Sequence, residues 1–519
     1  MQFRVWAPAA HRVELHLHGV RSEMRATPGG WWDVEAVSGL GADYGFCLDG
    51  GDPLPDPRSR WQPHGVHGLS RLVDHGAFPW TDASWHGIRL ADAVMYELHV
   101  GTFTPGGTFG SAIERLDHVV ELGVNAVELM PVAEFAGDRG WGYDGVDLWA
   151  PHHVYGGPAG LKALVNSCHA RGLAVILDVV YNHLGAEGNR LEQFGPYLTG
   201  RHRTPWGKGF DLDGAESRPV RDFVIENALT WLRDYHLDGL RLDAVHAITD
   251  TSRPHIVEEL TARVHELNPA RFVIAEKPRI DPELIAMGVD AQWSDDFHHA
   301  LHALLTGERT GYYRSFGTVS DLAGALLRPG QLGVDAARVV GYAQNHDQIG
   351  NRAAGERLSM LVDGGRLRLA AALVACSPFL PLLFMGEEWG ARSPFMFFSD
   401  HRDPDIAGKT SRGRIHEFEA FGWRPEDVPD PQDLASFERS RLDWGELSRE
   451  PHRSVLDWYR RLLRLRRQSP DLQSGGPLRV ESNESAGRLE LSRGEVQLVC
   501  DFRGGRATVE TGGGRSKWE

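Results

Sequence analysis

Three acids fall at or just after short, largely apolar runs: Asp243 ends Gly239-Leu240-Arg241-Leu242-Asp243, Glu276 ends Ile274-Ala275-Glu276, and Asp347 ends the polar Gln344-Asn345-His346-Asp347 that follows the run from Val339. Runs of this kind read as buried strands. Cleaving a glycosidic bond takes one carboxylic acid to protonate the leaving oxygen and one carboxylate to stabilise or capture the oxocarbenium-like centre. A single acid after a strand is more commonly a helix cap or a loop ion pair, and it is the set of three that points to this chemistry. Asp243 and Glu276 fall on neighbouring strands, which lie about 4.7–4.9 Å apart in a sheet. Their carboxyl groups can therefore reach the roughly 5–5.5 Å separation of a retaining pair. Arg241, two residues before Asp243, shares its strand face, where a fixed positive charge would keep a carboxylate ionised.

Three histidines, His183, His246 and His346, also follow strands. Each alone reads equally well as a core or surface histidine, but together they can converge on one sugar ring. A metal site is the weaker reading, because no HExxH or close histidine pair supports it, and no cofactor is expected. The stretch from Asp138 to Val146 follows the second strand; its glycines and Asp144 predict an exposed loop on which Tyr143 can stack against a sugar. Trp206, in Thr204-Pro205-Trp206-Gly207, is a second candidate platform.

These residues need a scaffold that brings strand ends together. Eight candidate strands can be counted: Val94 to His99, Ala126 to Met130, Ala174 to Val180, Gly239 to Asp243, Phe272 to Glu276, Ala291 to Trp293, Val339 to Gln344 and Leu380 to Met385. Helical segments separate most of them: Ser111 to Leu122, Pro158 to Arg171, Val220 to Tyr235, His255 to Leu267, Phe297 to Leu305 and Arg366 to Ala375, with Ser454 to Gln468 after a long insertion. Alternation of this kind predicts an α/β fold, a (β/α)8 TIM barrel, whose chemistry sits at the C-terminal strand ends. Before it, residues 1–88 alternate in short runs broken by Gly/Pro/Asp turns, the pattern of a β-sandwich. The expected organisation is a sandwich over 1–88, a catalytic barrel over 89–470 and a small C-terminal β domain over 471–519 that ends in a Gly-rich stretch.

At 519 residues the chain is long enough for two or three domains. Its formal charge of -16 disfavours a nucleic-acid partner, since a phosphate backbone would be repelled, whereas a neutral sugar is compatible. The four cysteines are far apart and form no CxxC pair, so they read as reduced core thiols. No apolar run reaches the length of a membrane span, and the N-terminal residues carry no signal-peptide pattern. A cytoplasmic protein is the expectation.

The runs Asp178-Val-Val-Tyr-Asn-His183, Gly239-Leu-Arg-Leu-Asp243, Ala275-Glu276 and Asn345-His346-Asp347 resemble, in order and spacing, the four conserved regions of the α-amylase clan. That resemblance covers almost the whole chain. It implies a retaining double displacement with Asp243 as nucleophile, Glu276 as general acid/base and Asp347 as the residue that binds and distorts the sugar. His183, Arg241 and His346 would support that sugar and the carboxylates. The loop Asp138 to Val146, Thr204 to Gly207, Leu242 to Ile248, Gln344 to Arg352 and Phe397 to His401 resemble the maltooligosyltrehalose trehalohydrolase branch of the clan, as does the N-terminal sandwich. This implies a maltooligosyltrehalose or α-glucan oligosaccharide substrate, release of trehalose, and functional pairing with a trehalose-forming isomerase. The substrate-binding residues expected are Tyr143, Asp144, His183, Trp206, Arg241, His246, His346 and Gln348. A glycogen branching enzyme, or more remotely a catalytically silent glucan-binding protein, are the alternatives. Two departures from the branch pattern are Lys277-Pro278-Arg279 after Glu276 and a short C-terminal domain.

Overall fold

The computed structural model describes residues 1–419, 423–473, 477–512 and 516–518. Eight parallel strands close into a barrel in chain order: β1 (Met95–Leu98), β2 (Ala126–Leu129), β3 (Ala174–Val179), β4 (Gly239–Leu242), β5 (Phe272–Ala275), β6 (Ala291–Trp293), β7 (Val339–Gly341) and β8 (Leu380–Phe384), with β8 pairing back onto β1. All eight predicted strands are present, several ending one to three residues early. The pairing stops where the functional residues begin, so Asp243, Glu276 and Gln344 lie in the loops just past their strands.

Strand periodicity builds the floor of the site. Side chains two residues apart share a face, so Met95 lies below Glu97, Ala126 below Glu128, Ile176 below Asp178 and Ile274 below Glu276. These apolar residues form one buried cluster with Phe272, Trp293, Val340 and Leu382. Gly239 occupies the corresponding place on β4, where a Cβ would come within 2.3 Å of the Phe272 ring. A larger residue there would push β4 off its neighbour.

The predicted helices form, with three differences. The segment read as Ser111 to Leu122 is two helices, Phe109–Ile113 and Leu116–Leu122, the first closed by a capping box between Thr108 and Ser111. Val319–Gln331 is a helix, although Pro329 lies inside its last turn. Pro404–Glu419, in the long insertion after β8, is another.

The N-terminal region is two facing antiparallel sheets, one of four strands (Val20–Glu23, Val13–Leu17, Asp43–Leu48, Ser70–Arg71) and one of three (Gln2–Trp6, Trp31–Glu35, Arg25–Thr27). Phe3 meets Tyr44 edge to face at 5.2 Å between them. The same region reaches the β3–β4 connection through Trp6 on Tyr197 and Phe46 on Phe194. Such edge-to-face pairs contribute about 0.5–1.5 kcal/mol each beyond burial, and they fix the base of the hairpin Leu198–Thr204/Gly207–Phe210, which carries Trp206 near its tip.

A five-stranded antiparallel sheet, Leu478–Asn483 through Ser516–Trp518, closes the chain. It rests on the helices Val319–Gln331 and Gly364–Cys376. The Gly-rich stretch read at the C terminus lies partly outside the described residues. All four cysteines are free and buried, and no helix among the described residues is long and apolar enough to cross a membrane.

Candidate active site

Arg241 is the centre of the barrel mouth. It points inward from β4, opposite Asp178 of β3 in the strand register, and is almost wholly buried. Its Nη1 donates to Asp178 Oδ2 at 2.7 Å and to Asp243 Oδ1 at 2.8 Å, while its Nη2 pairs with Glu276 Oε2 at 3.0 Å. The Trp293 ring lies 4.2 Å from the guanidinium carbon, a cation–π contact on its other face. Burial opposes the charge, but Asp178, Glu276 and Asp243 outweigh it and push the pKa of Arg241 upward.

Asp243 and Glu276 thus share one guanidinium but differ in everything else. Each oxygen of Asp243 meets a group that can only donate: Arg241 on Oδ1, and Asn182 Nδ2 on Oδ2 at 2.7 Å. Glu276 Oε2 accepts the Ala244 backbone N–H at 2.6 Å beside Arg241. Burial raises the Glu276 pKa; Arg241 opposes this and the charges of Asp243 and Asp347 add to it, leaving the group at about 8. Glu276 is therefore protonated at neutral pH.

The residue between them is strained to do this. Ala244 sits at φ 39°, the left-handed region that a side chain with a Cβ rarely adopts. The turn aims its N–H at the Glu276 carboxylate, and the next amide, Val245 N–H, donates to the Glu276 carbonyl at 3.1 Å. Backbone and side chains together lock the ends of β4 and β5.

Asp347 approaches from the β7 side. It lies in the first turn of the helix His346–Gly350, capped by Asn345, whose side chain accepts the Gln348 N–H at 2.9 Å. Its Oδ1 accepts from Asn351 Nδ2 at 2.9 Å. Gln348 in turn donates to Asp295 Oδ1 at 3.3 Å.

His346 is held from two sides. Its Nδ1 lies 2.5 Å from Glu97 Oε1 and its Nε2 2.8 Å from the Tyr143 hydroxyl, which donates to Asp178 Oδ2 at 2.6 Å. Burial disfavours the imidazolium, but Glu97 and Asp347 overcome that and raise its pKa to about 9. Asp178 moves the same way for another reason: burial lifts it to about 6 against the pull of Arg241.

The remaining candidates occupy the rim. His183 is buried, bonded to Asn182, and stacked under Trp206 with ring centroids 5.2 Å apart. Trp206 itself is 53% exposed. Asp144 is half-exposed, with His401 Nε2 at 4.0 Å. Of the three histidines expected to converge, His183 and His346 are buried at the mouth, whereas His246 is exposed on the turn after Asp243.

One expectation is overturned. The stretch Asp138 to Val146 is not an exposed loop, because Asp138 is its only exposed residue. Trp141 stacks on Phe395 at 5.2 Å and donates Nε1–H to the Met396 carbonyl at 2.9 Å. Gly142, at φ 99°, leaves no room for a Cβ beside the Pro131 carbonyl. Its glycines permit close packing rather than exposure.

Sequence reasoning passed over Glu97 and Asp295 and gave Asn182 no role of its own. Glu97 lies inside the first strand and Asp295 two residues past the sixth, so the strand-end rule that found Asp243 could have found both. Glu387 and Glu388 lie away from the mouth, buried and bonded to Tyr459, Tyr96 and His118. Among the described residues, Glu134, His152 and His153 bring three donor atoms within 4.8 Å, as a metal site would. However, Glu134 is engaged by the His153 ring and backbone, and His152 Nδ1 accepts the Val154 N–H. The group lies on the hairpin after β2, apart from the three acids, and reads as a structural ion pair.

Comparison with known proteins agrees with this architecture. The model of the alpha amylase catalytic domain matches residues 78–197. A malto-oligosyltrehalose trehalohydrolase from Arthrobacter ramosus is 48% identical over 99% of this chain and 95% of its own. One from Saccharolobus solfataricus is 42% identical over 90% of this chain and 85% of its own. A solved structure of a Salmonella typhimurium protein described as an alpha amylase superposes with a TM-score of 0.87 at 39% identity, covering 96% of this chain and 90% of that one. Sequence and fold thus agree over nearly the full length, and the chain belongs to the malto-oligosyltrehalose trehalohydrolases, within the α-amylase type of glycoside hydrolase.

Proposed function

We propose that the enzyme cleaves the α-1,4-glucosidic bond next to the terminal trehalose unit of maltooligosyltrehalose by retaining double displacement, releasing trehalose and a maltooligosaccharide. The observation that carries this is the unequal treatment of two carboxyl groups on one guanidinium: Asp243 is met by a donor on each oxygen, while Glu276 holds its proton to about pH 8. Asp243 attacks the anomeric carbon as Glu276 gives its proton to the leaving glycosidic oxygen. Water then attacks the glycosyl ester while Glu276, now ionised, takes the proton. Arg241 spans both carboxyl groups and so supports the close spacing a retaining pair needs, roughly 5–5.5 Å. Asp347 binds the sugar at the cleavage site from the β7 side, with Tyr143, His183, His346 and Gln348 around the same ring and Asp144, His246 and Trp206 further out. The sandwich, residues 1–88, and the C-terminal unit, 471–519, flank the catalytic barrel.

The reading also assigns a cytoplasmic enzyme that acts after a trehalose-forming isomerase, which would supply the substrate. Supplying maltooligosyltrehalose and plain maltooligosaccharide side by side tests it. Trehalose should appear rapidly from the first and the second should be cut slowly; equal cleavage of both, or α-1,6 branches formed on amylose, would overturn it.

A further inference from the structure

The barrel holds a buried acid to which the proposed reaction gives no task. Glu128 points inward from β2, above Ala126, and is 1% exposed. Glu97 is its register partner on β1, so the two carboxyl groups share one face of adjacent strands, which lie about 4.7–4.9 Å apart. Two carboxylates side by side in a buried site repel each other strongly, and one of them keeps a proton.

Hydrogen bonding decides which. Glu97 has a donor on each oxygen: the His346 ring Nδ1 at 2.5 Å from Oε1, and the His346 backbone N–H at 3.0 Å from Oε2. Neither oxygen of Glu128 has a hydrogen-bond partner among the described residues. A buried carboxylate that no donor meets is costly, whereas a carboxylic acid brings a donor of its own. The charged groups around Glu128 are Glu97 on β1, Asp178 on β3, Arg241 on β4 and His346 after β7. Burial is the main force that keeps its proton; Glu97 and Asp178 add to this, Arg241 and His346 oppose it, and the balance holds the carboxyl well above the ordinary glutamate range.

The next two strands show what a neutral carboxyl can do there. Asp178 Oδ2 and both Nη atoms of Arg241 are engaged, but Asp178 Oδ1 and Arg241 Nε are buried with no hydrogen-bond partner among the described residues. The first atom can only accept and the second can only donate. With a rotation of its side chain, a protonated Glu128 can offer its O–H to Asp178 and its carbonyl oxygen to Arg241. A carboxylate has no proton to offer Asp178.

We propose that Glu128 holds the one proton of a Glu97–Glu128 pair and serves as a positioning residue, its neutral carboxyl leaving the charges of Arg241 and His346 to Glu97, Asp178 and the two reacting acids. It touches no sugar and acts through Arg241, Asp178 and His346.

Infrared difference spectra in D2O at neutral pH read the proton directly. Glu128→Gln, an isostere of the acid, should remove a protonated-carboxyl band other than the one that Glu276→Gln removes; loss of a carboxylate band instead would overturn the proposal. In Glu97→Gln the Glu128 band should disappear at a lower pH than in wild type, because the like charge beside it is gone, and an unmoved titration would overturn the pairing. Kinetics read the positioning. Glu128→Gln should keep kcat/KM within about threefold of wild type, whereas Glu128→Met, which is similar in length but has no oxygen to hydrogen-bond, should lower kcat about tenfold with KM little changed. A Gln variant as slow as the Met one would overturn the neutral carboxyl, and a Met variant as fast as wild type would overturn the positioning role. If the Met variant does not fold, the Gln variant and the spectra still decide. These rates can be read on any α-glucan that the enzyme cuts, so failure of the trehalose-releasing reading would leave the test of Glu128 intact.

Discussion

The floor of the barrel mouth and its rim are built on different physics. The floor is a buried charge network: Arg241 holds Asp178, Asp243 and Glu276, and Glu97, His346 and Tyr143 continue it around the barrel. Every member except Tyr143, which comes from the buried stretch Asp138 to Val146, is placed by a strand or by the first few residues after one. The rim is made of exposed rings on loops, with Trp206 on a hairpin whose base is packed against the N-terminal sandwich. In the floor, geometry and stability are the same interactions; at the rim they are separate. Substitutions in the floor should therefore alter chemistry and folding together, whereas those at the rim should alter binding alone.

The largest effects belong to the two central acids. Asp243→Ala and Glu276→Gln should each lower kcat/KM by about 10⁴-fold or more, in line with removal of groups that act as a unit in catalysis. Steady-state rates on maltooligosyltrehalose check this, and near-wild-type turnover in either variant would remove the acid from the mechanism. Because Glu276 must be protonated to act as the acid, kcat/KM should fall as pH rises through about 8. The same group links stability to pH. Its folded pKa lies above the ordinary glutamate value of 4.5, so the folded state keeps a proton that the unfolded chain has lost. Its contribution to stability therefore declines from about pH 4.5 to about 8 and is flat above that. Glu276→Gln should flatten that slope and leave the protein more stable than wild type at pH 8, as read by denaturant melts at several pH values.

Next in size is Arg241. Arg241→Met would leave three carboxyl groups without their cation, and loss of one partner of a buried ion pair costs about 3–5 kcal/mol. Both activity and the denaturation midpoint of the barrel should collapse. Arg241→Lys should recover little, because one ammonium cannot present two nitrogens in a plane to Asp243 and Glu276. An Arg241→Met protein as stable as wild type would show that the floor is not held by this cation.

The contrast also explains what could be read from sequence. Asp243, Glu276 and Asp347 stand out in a single chain because each follows an apolar run that reads as a strand, and the barrel that holds them follows from eight such runs. Glu97 was equally accessible to that logic. The rim and its supports were harder, because tertiary contacts decide them. The glycines around Trp141 look like a loop until Phe395 and the Met396 carbonyl, more than 250 residues on, are seen to bury the ring. Pro329 and Gly330 break the local signal of the helix Val319–Gln331, which nonetheless forms because its apolar face packs under the C-terminal sheet. That Glu276 keeps its proton is invisible in spacing alone, since it arises from burial and from the nearby charges of Asp243 and Asp347, against the pull of Arg241 and the Ala244 amide.

The smallest expected effect is the sharpest test of the separation. Trp206 is 53% exposed and makes its ring contact with His183 on one face. Truncating it removes little that is buried, and surface substitutions away from special features usually shift stability by no more than about 0.5 kcal/mol. Trp206→Ala should therefore melt like wild type and keep most of its kcat, while KM rises by roughly three- to tenfold, the loss expected for one aromatic contact. A variant with a lowered midpoint would place Trp206 in the fold rather than the rim. One with unchanged KM would mean that the ring shields His183 and Asn182 from water without touching sugar, in which case the deficit should move to kcat, because Asn182 is what holds the second oxygen of Asp243.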